Sequence, residues 1–191
     1  MGKSDVRNIK LMARDNLDYM MVNVLSNTIK DNLYAVPEFQ KANYVYGYSS
    51  FRNEVDTADI IDELLASGKR VAMPVSYTKE GIPQMDFYEI NSRSDMAPGY
   101  KGILEPDRRK MSVKKATFIP NVILVPIVAF NNRMYRVGYG KGFYDYYFNM
   151  NFAGTKIGLA YGFQQDESFM PDANDVPLDI IVTEDGVFYG N

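Results

Sequence analysis

The chain has 191 residues, 46% of them hydrophobic and 24% charged, with 21 Lys and Arg against 24 Asp and Glu for a net charge of −3. That describes a folded globular chain long enough for one ordinary domain, and it excludes both a disordered segment and a strongly basic nucleic-acid binder. There is no histidine, cysteine or tryptophan, so thiol nucleophiles, disulfides, imidazole bases and His- or Cys-ligated metals are excluded; catalysis must rest on carboxylates, Lys, Arg, Tyr, hydroxyls or an oxygen-ligated cation such as Mg²⁺.

No apolar run approaches the roughly 18 residues needed to cross a bilayer, and the opening MGKSDVRNIK lacks the apolar stretch of a signal peptide. The expectation is a cytoplasmic protein without membrane or nucleic-acid partners. Its 15 Tyr, 11 Phe and 11 Met suit either core packing or a pocket for a flat ring.

Along the first 40 residues, Leu11, Met12, Leu17, Met20, Met21, Val24, Leu25, Ile29 and Leu33 recur at spacings near three and four, a helical pattern that Pro37 stops. A strand is predicted at Asn43 to Tyr48, followed by a polar loop from Ser49 to Asp56. Thr57 then caps a helix with the apolar face Ile60, Ile61, Leu64 and Leu65, closed by Gly68 before a strand at Arg70 to Val75. This βαβ unit implies a parallel pair. A further strand is predicted at Gln84 to Ile90. The stretch from Asn91 to Pro120 reads as a solvated connection with a basic knot at Arg108, Arg109, Lys110, Lys114 and Lys115.

Asn121 to Pro126 has the near-continuous apolar character of a central parallel strand. A hairpin around Asn131, Asn132 and Arg133 follows, then a glycine-rich stretch, a helix from Gly142 to Met150, and strands at Lys156 to Tyr161 and Asp179 to Thr183. Residues 1–191 thus read as one α/β domain: a layered, mostly parallel sheet with helices on both faces and an N-terminal helical segment.

In such a sheet, ligands bind beyond the carboxyl ends of the strands. Two loops fall there. In the first, Ser49 to Thr57, Asp56 and Thr57 suit a helix N-terminus, while Glu54 lies further out, where it can accept hydrogen bonds from a ligand amide or amino group. The second runs from Arg136 to Asp145. Gly138, Gly140 and Gly142 let successive amides converge on an anion, Arg136 and Lys141 bracket them with cations, and Asp145 is placed for a Mg²⁺ that accompanies a nucleotide triphosphate. The run is neither a Walker A loop nor G-x-G-x-x-G. Lys3 and Arg7, four apart, share a face if that segment is helical; spacing alone equally fits a solvated chain end.

Together these segments resemble the 5-formyltetrahydrofolate cyclo-ligase family, also called 5,10-methenyltetrahydrofolate synthetase. The resemblance is carried by K-x-x-x-R at Lys3 and Arg7, S-x-x-x-E-V-D-T at Ser50 to Thr57, and G-x-x-E-P at Gly102 to Pro106. It continues with V-P-x-x-A-F at Val125 to Phe130, R-x-G-x-G-x-G-[FY]-Y-D at Arg136 to Asp145, and D-x-x-V-T-E at Asp179 to Glu184. It implies ATP- and Mg²⁺-dependent cyclisation of 5-formyltetrahydrofolate to 5,10-methenyltetrahydrofolate with release of ADP and phosphate. By resemblance, Lys3, Arg7, Arg136 and Lys141 contact ATP phosphates, with the backbone of Val137, Gly138, Tyr139, Gly140 and Gly142 around them. Arg136, Lys141 and Asp145 act in the chemistry, and Asp145 and Asp179 hold Mg²⁺. Ser49, Glu54, Phe143 and Tyr144 form the folate site, and the basic residues from Arg108 to Lys115 meet the glutamate tail.

Some positions depart from the usual pattern: Ile127, Asn131, Tyr146 and Asn174 replace a frequent Gly, Asp, Arg and His, and Lys141 stands where many members carry glycine. The rival readings are a non-catalytic nucleotide- or folate-binding protein on the same scaffold, or a different ATP-dependent ligase or kinase. A monomer or weak homodimer is expected.

Overall fold

The computed structural model describes residues 1–150 and 152–190. The N-terminal helical pattern resolves into three helices, α1 (Lys3–Asp15), α2 (Tyr19–Tyr34) and α3 (Pro37–Lys41). Asp18 makes the first break: its extended backbone leaves the helix and its side chain accepts from the Met21 amide at 2.7 Å. Pro37 starts a helix rather than stopping one, because a first-turn position needs no amide hydrogen. The apolar spacing also overstates burial. Met12, Met20, Met21 and Val24 are exposed, and only Ile29 and Leu33 of the predicted set are fully buried.

Two strand-forming runs bracket the next helix: β1 (Tyr44–Tyr46), α4 (Ala58–Ala66) and β2 (Arg70–Lys79), with β1 parallel to β2. β2 runs past Val75 and turns back through Glu80 (φ 52°) and Gly81 (φ 81°) into β3 (Ile82–Ile90), an antiparallel hairpin. Two consecutive left-handed residues match the twist of the strands they join.

The segment expected to be a solvated connection is structured. It carries the hairpin β4 (Met96–Pro98) and β5 (Leu104–Pro106), then β6 (Lys114–Lys115), which pairs with β3. Buried Asp95 organises it, accepting from the Asn91 amide and the Ser112 hydroxyl at 2.8 and 2.7 Å. Two of the five cations of its basic knot are tied to acids: Arg109 grips Asp107, and Lys115 pairs with Asp86 at 2.9 Å.

Beyond it come β7 (Val122–Pro126), the short hairpin β8 (Ala129–Phe130) and β9 (Arg136–Val137), α5 (Phe143–Asn149), β10 (Thr155–Leu159), β11 (Ile180–Thr183) and β12 (Gly186–Tyr189). The main sheet has the order β12-β11-β10-β7-β1-β2-β3-β6; the five strands from β11 to β2 are parallel and the edges antiparallel. Strand alternation divides the core. Val45, Val71, Leu124 and Ile157 pack beneath α2, α3 and α4, whereas Tyr46, Ala72, Ile123 and Ile181 face Phe148 of α5. The fold is therefore α/β with a mostly parallel sheet covered on both faces, as expected. Among the described residues no helix is long and apolar enough to cross a membrane.

At the carboxyl end of β7 the chain is pinned by Gln164, which is 1% exposed. Its Nε2 donates to the Ile127 and Val128 carbonyls at 2.7 and 2.8 Å, and its Oε1 accepts from the Tyr161 amide at 2.8 Å. Gln164→Leu strands those buried groups, so a loss of about 2–4 kcal/mol is expected; an unchanged thermal melting curve would refute this.

Candidate active site

The parallel strands leave β1 in two directions. The chain passes from β1 to β2 on one side, then returns to β7 on the other side of β1 and continues outward to β10 and β11. The loops after β1 and β7 therefore diverge at the carboxyl edge, the switch point at which open α/β sheets hold ligands. These are the loops that carry Glu54 and lead to the glycine run.

Glu54 is buried, 5% exposed, on a loop whose backbone is left-handed at Arg52 (φ 49°) and Asn53 (φ 54°). Neither is glycine, so surrounding contacts must hold the turn. Asn53 does so by donating to the carbonyls of Arg14 and Leu17 at 3.2 and 2.9 Å, at the end of α1. The Glu54 carboxylate accepts from the Phe51 amide at 2.9 Å and lies 3.9 Å from Arg14 Nη2. Burial nevertheless dominates and pushes its pKa up to about 7, against the pull of Arg14 and the Phe51 amide. Asp56 favours the α4 N-terminus as read, accepting from the Ala58 amide at 3.0 Å, but Thr57, although it holds the N-cap position, does not cap with its side chain; its hydroxyl donates to the Tyr48 carbonyl instead.

Beside this loop, Ser49 donates to the Leu104 carbonyl at 2.7 Å and shares the wall of a cavity of about 240 Å³ with Phe51, Met73, Met96 and Leu104. The β4–β5 hairpin thus supplies one wall. Glu54, Phe143 and Tyr144 are not in that wall.

The glycine loop faces the first loop; the Phe51 and Tyr139 ring centroids are 6.3 Å apart. Gly140 is left-handed (φ 87°), and a Cβ there would stand 3.1 Å from the Arg7 guanidinium carbon. Glycine is thus required twice, for conformation and for close approach. Arg7 Nε donates to the Gly138 carbonyl at 2.6 Å. Gly142, also left-handed, opens α5. Lys141 is exposed and makes no hydrogen bond or ion pair among the described residues.

Arg136 and Asp145 are together, but they meet each other. Arg136 Nη2 is 3.0 Å from Asp145 Oδ1, its Nη1 donates to the Val176 carbonyl at 3.0 Å, and Asp145 Oδ1 also accepts from the Val176 amide at 3.1 Å. Burial lowers the Arg136 pKa, and the Asp145 charge opposes that shift. Tyr144 stands over Arg136, 5.9 Å from its ring centroid to the guanidinium. Lys3 is helical and engaged rather than at a solvated end, paired with Asp172 at 2.8 Å and with Asp175.

Asp179 is not brought to these loops. It precedes β11 at the amino edge of the sheet, where it accepts from the Lys156 amide and ammonium at 2.7 and 2.8 Å. Among the described residues no group of three or more Asp, Glu, His or Cys is arranged to hold a metal. Of the departures from the family pattern, Asn131 accepts from the Arg133 and Tyr135 amides within the β8–β9 turn, both at 3.1 Å, a task that uses only its carbonyl oxygen. Ile127 contributes its carbonyl to Arg14 and Gln164, Tyr146 lies partly buried on α5, and Asn174 is exposed.

Sequence reasoning passed over Arg14 and Lys10. Arg14 is 1% exposed, and Lys10 donates to the Phe163 and Gln165 carbonyls, both at 2.9 Å. The signal was present: Lys3, Arg7, Lys10 and Arg14 recur at spacings of four, three and four, a cationic stripe along one face of α1. Lys3 and Lys10 both reach the connection between β10 and β11, while Arg7 and Arg14 both reach the glycine loop.

Known proteins match this chain over nearly its whole length. The solved structure of Aquifex aeolicus 5,10-methenyltetrahydrofolate synthetase superposes with a TM-score of 0.82 at 34% identity, covering 98% of this chain and 92% of that one. A Haemophilus influenzae 5-formyltetrahydrofolate cyclo-ligase is 29% identical over 185 residues, 94% of this chain and 95% of its own length. The Mycoplasma pneumoniae 5-formyltetrahydrofolate cyclo-ligase is 45% identical over 104 residues, 52% of this chain and 62% of that relative, so that match spans less than two thirds of the relative's length. Residues 2–184 match the model of one family, and on that match the chain belongs to the 5-formyltetrahydrofolate cyclo-ligase family.

Proposed function

We propose that the chain uses ATP to close 5-formyltetrahydrofolate into 5,10-methenyltetrahydrofolate, releasing ADP and phosphate. What carries this reading is the convergence of the Glu54 loop and the glycine loop at the β1–β7 switch point, with Phe51 against Tyr139, in a member of this family. The N5-formyl oxygen attacks the γ-phosphorus, the bond to the β-phosphate oxygen breaks, and ADP leaves. N10 then attacks the activated formyl carbon, its proton is lost, and the carbon–oxygen bond breaks to release phosphate. No protein nucleophile is needed, which suits a chain without His or Cys.

Lys3, Arg7 and Lys141 supply positive charge for the phosphates, with the amides of residues 137–142. Arg136, with Asp145 as its counter-charge, acts with them in the chemistry. Lys141, exposed and without a partner among the described residues, can take an anion directly, whereas Lys3 must exchange Asp172 and Asp175 for one. Glu54 accepts hydrogen bonds from the folate, and Ser49, Phe143 and Tyr144 shape its surroundings. The donor set does not fit a preformed metal cage. It does fit a Mg²⁺ carried on nucleotide phosphates that takes one protein oxygen, from Asp145, whose Oδ2 accepts no hydrogen bond among the described residues. Such an ion neutralises phosphate charge.

The test mixes protein, 5-formyltetrahydrofolate and Mg-ATP and follows the methenyl chromophore with ADP release. Chromophore growth matched one-to-one by ADP, and lost when either ATP or Mg²⁺ is omitted, is expected. Folded protein that gives no signal, or gives it without ATP, overturns the reading.

A further inference from the structure

We propose that Arg14 is the positioning residue that holds Glu54 and the tip of the glycine loop in one arrangement, so that a single guanidinium sets both substrate subsites. This rests on the reading of Glu54 as the folate acceptor. Arg14 lies outside the motifs that carry the family resemblance, yet it is among the most deeply buried charged side chains described, at 1% exposure.

Its donors are divided among separate segments. Nε donates to the Arg52 carbonyl at 2.9 Å, Nη1 to the Ile127 carbonyl at 3.2 Å, and Nη2 to the Tyr139 hydroxyl, while the same Nη2 stands 3.9 Å from Glu54 Oε1. The first partner belongs to the loop after β1, the second to the end of β7, the third to the glycine loop. A planar fork of five N–H groups can satisfy three acceptors in fixed directions; an ammonium is a point charge and cannot. The Arg52 carbonyl faces Arg14 because Arg52 and Asn53 are left-handed, a turn that costs energy in residues with a Cβ. Asn53 grips the Arg14 carbonyl in return. Helix end and loop therefore lock each other, and Glu54 is fixed between them.

The groups facing Glu54 are Arg14 from α1, Tyr48 after β1, the Phe51 amide of its own loop, Tyr139 of the glycine loop and Tyr144 of α5. Burial raises all three tyrosine hydroxyls, Tyr139 to about 12. Between pH 5.5 and 9, Glu54 is the group among them that titrates, and the cation beside it sets where.

The experiment measures 5-formyltetrahydrofolate binding by calorimetry from pH 5.5 to 9 for the unmodified protein, E54Q, R14M and R14K. The unmodified protein should lose affinity as pH falls through about 7, and E54Q should be flat. An inflection that survives in E54Q sinks the reading of Glu54. If E54Q is flat and R14M keeps the original inflection, the present proposal fails alone. R14M should move the inflection up by about one unit or more, since an opposite charge at this range depresses a carboxyl by 1–3 units. R14K should restore most of that position while the KM values for folate and ATP stay raised.

If R14M does not fold, R14K and Y139F decide the matter, because Tyr139 is 40% exposed and its hydroxyl joins Arg14 to Glu54. Both variants break the Arg14–Tyr139 bond, so R14K/Y139F should lose clearly less kcat/KM than the product of the two single losses. Losses that multiply would overturn the shared arrangement.

Discussion

Asp145→Asn is expected to lower the melting temperature by roughly 10 °C as well as slowing turnover. The reason is its partner. Arg136 has a side chain only 4% exposed, and Asp145 Oδ1 at 3.0 Å supplies its counter-charge. Removing one member of such a pair leaves an uncompensated buried charge, at a cost of about 3–5 kcal/mol. A chain of this size loses about 2–4 °C per kcal/mol. The asparagine oxygen still accepts from the Val176 amide, so the loss isolates the charge. R136M/D145N should recover most of the melting temperature, because apolar replacement of both charges removes the desolvation problem. It should not recover turnover, which is expected to stay down by at least about 10², the usual effect of losing one preorganised charge stabiliser. In D145N the Mg²⁺ concentration for half-maximal rate should rise. A double variant that regains turnover would reduce the pair to architecture, and D145N melting with the unmodified protein would show that the pair is not electrostatically coupled.

The parallel centre of the sheet was legible because β7 is apolar on both faces and the βαβ unit carries an amphipathic helix and a closing glycine between its strands. The glycine loop was legible for a related reason: Gly140 is needed by local geometry, and such needs are written at the position itself. Long-range partners are not written there. Nothing adjacent to Arg136 in the sequence reveals that its fork closes on Asp145 and the Val176 carbonyl. Likewise Lys156 spends its ammonium on Asp179 at the amino edge, so a motif carboxylate is held away from the site.

The polar composition of residues 91–120 hid a structured wall, since its order comes from one buried carboxylate, Asp95, rather than from an apolar pattern. The clearest omission was α1. Its apolar residues drew attention, yet Met12 faces solvent while the cationic stripe from Lys3 to Arg14 faces the protein. Helical periodicity was visible there, in charge rather than hydrophobicity.

Glu54→Gln should make the protein more stable at pH 8 and less able to hold folate. The sign follows from the raised carboxyl pKa of about 7, against an ordinary glutamate value of 4.5. A group whose folded-state pKa lies above its unfolded value favours folding only while protonated. Its contribution is therefore fully present below pH about 4.5, declines as pH rises, and is exhausted above about 7. At a pH above both values the unmodified protein carries a buried carboxylate that the unfolded chain would leave in water, a burden of up to about 3 kcal/mol by the size of the shift. Glutamine resembles the protonated acid and carries no such burden, so the two proteins should melt together near pH 4.5 and diverge progressively to pH 7, with E54Q the higher. Arg14 does not reverse this, because three carbonyl and hydroxyl acceptors still hold it. The cost of the change falls on binding. An amide oxygen accepts fewer and weaker hydrogen bonds than a carboxylate, so folate affinity at pH 8 should fall by roughly tenfold or more, the worth of one charge-assisted bond, while the KM for ATP changes far less. Melting curves that stay parallel from pH 4.5 to 8 would show that Glu54 is ionised without penalty, and equal losses of folate and ATP affinity would remove it from the folate site.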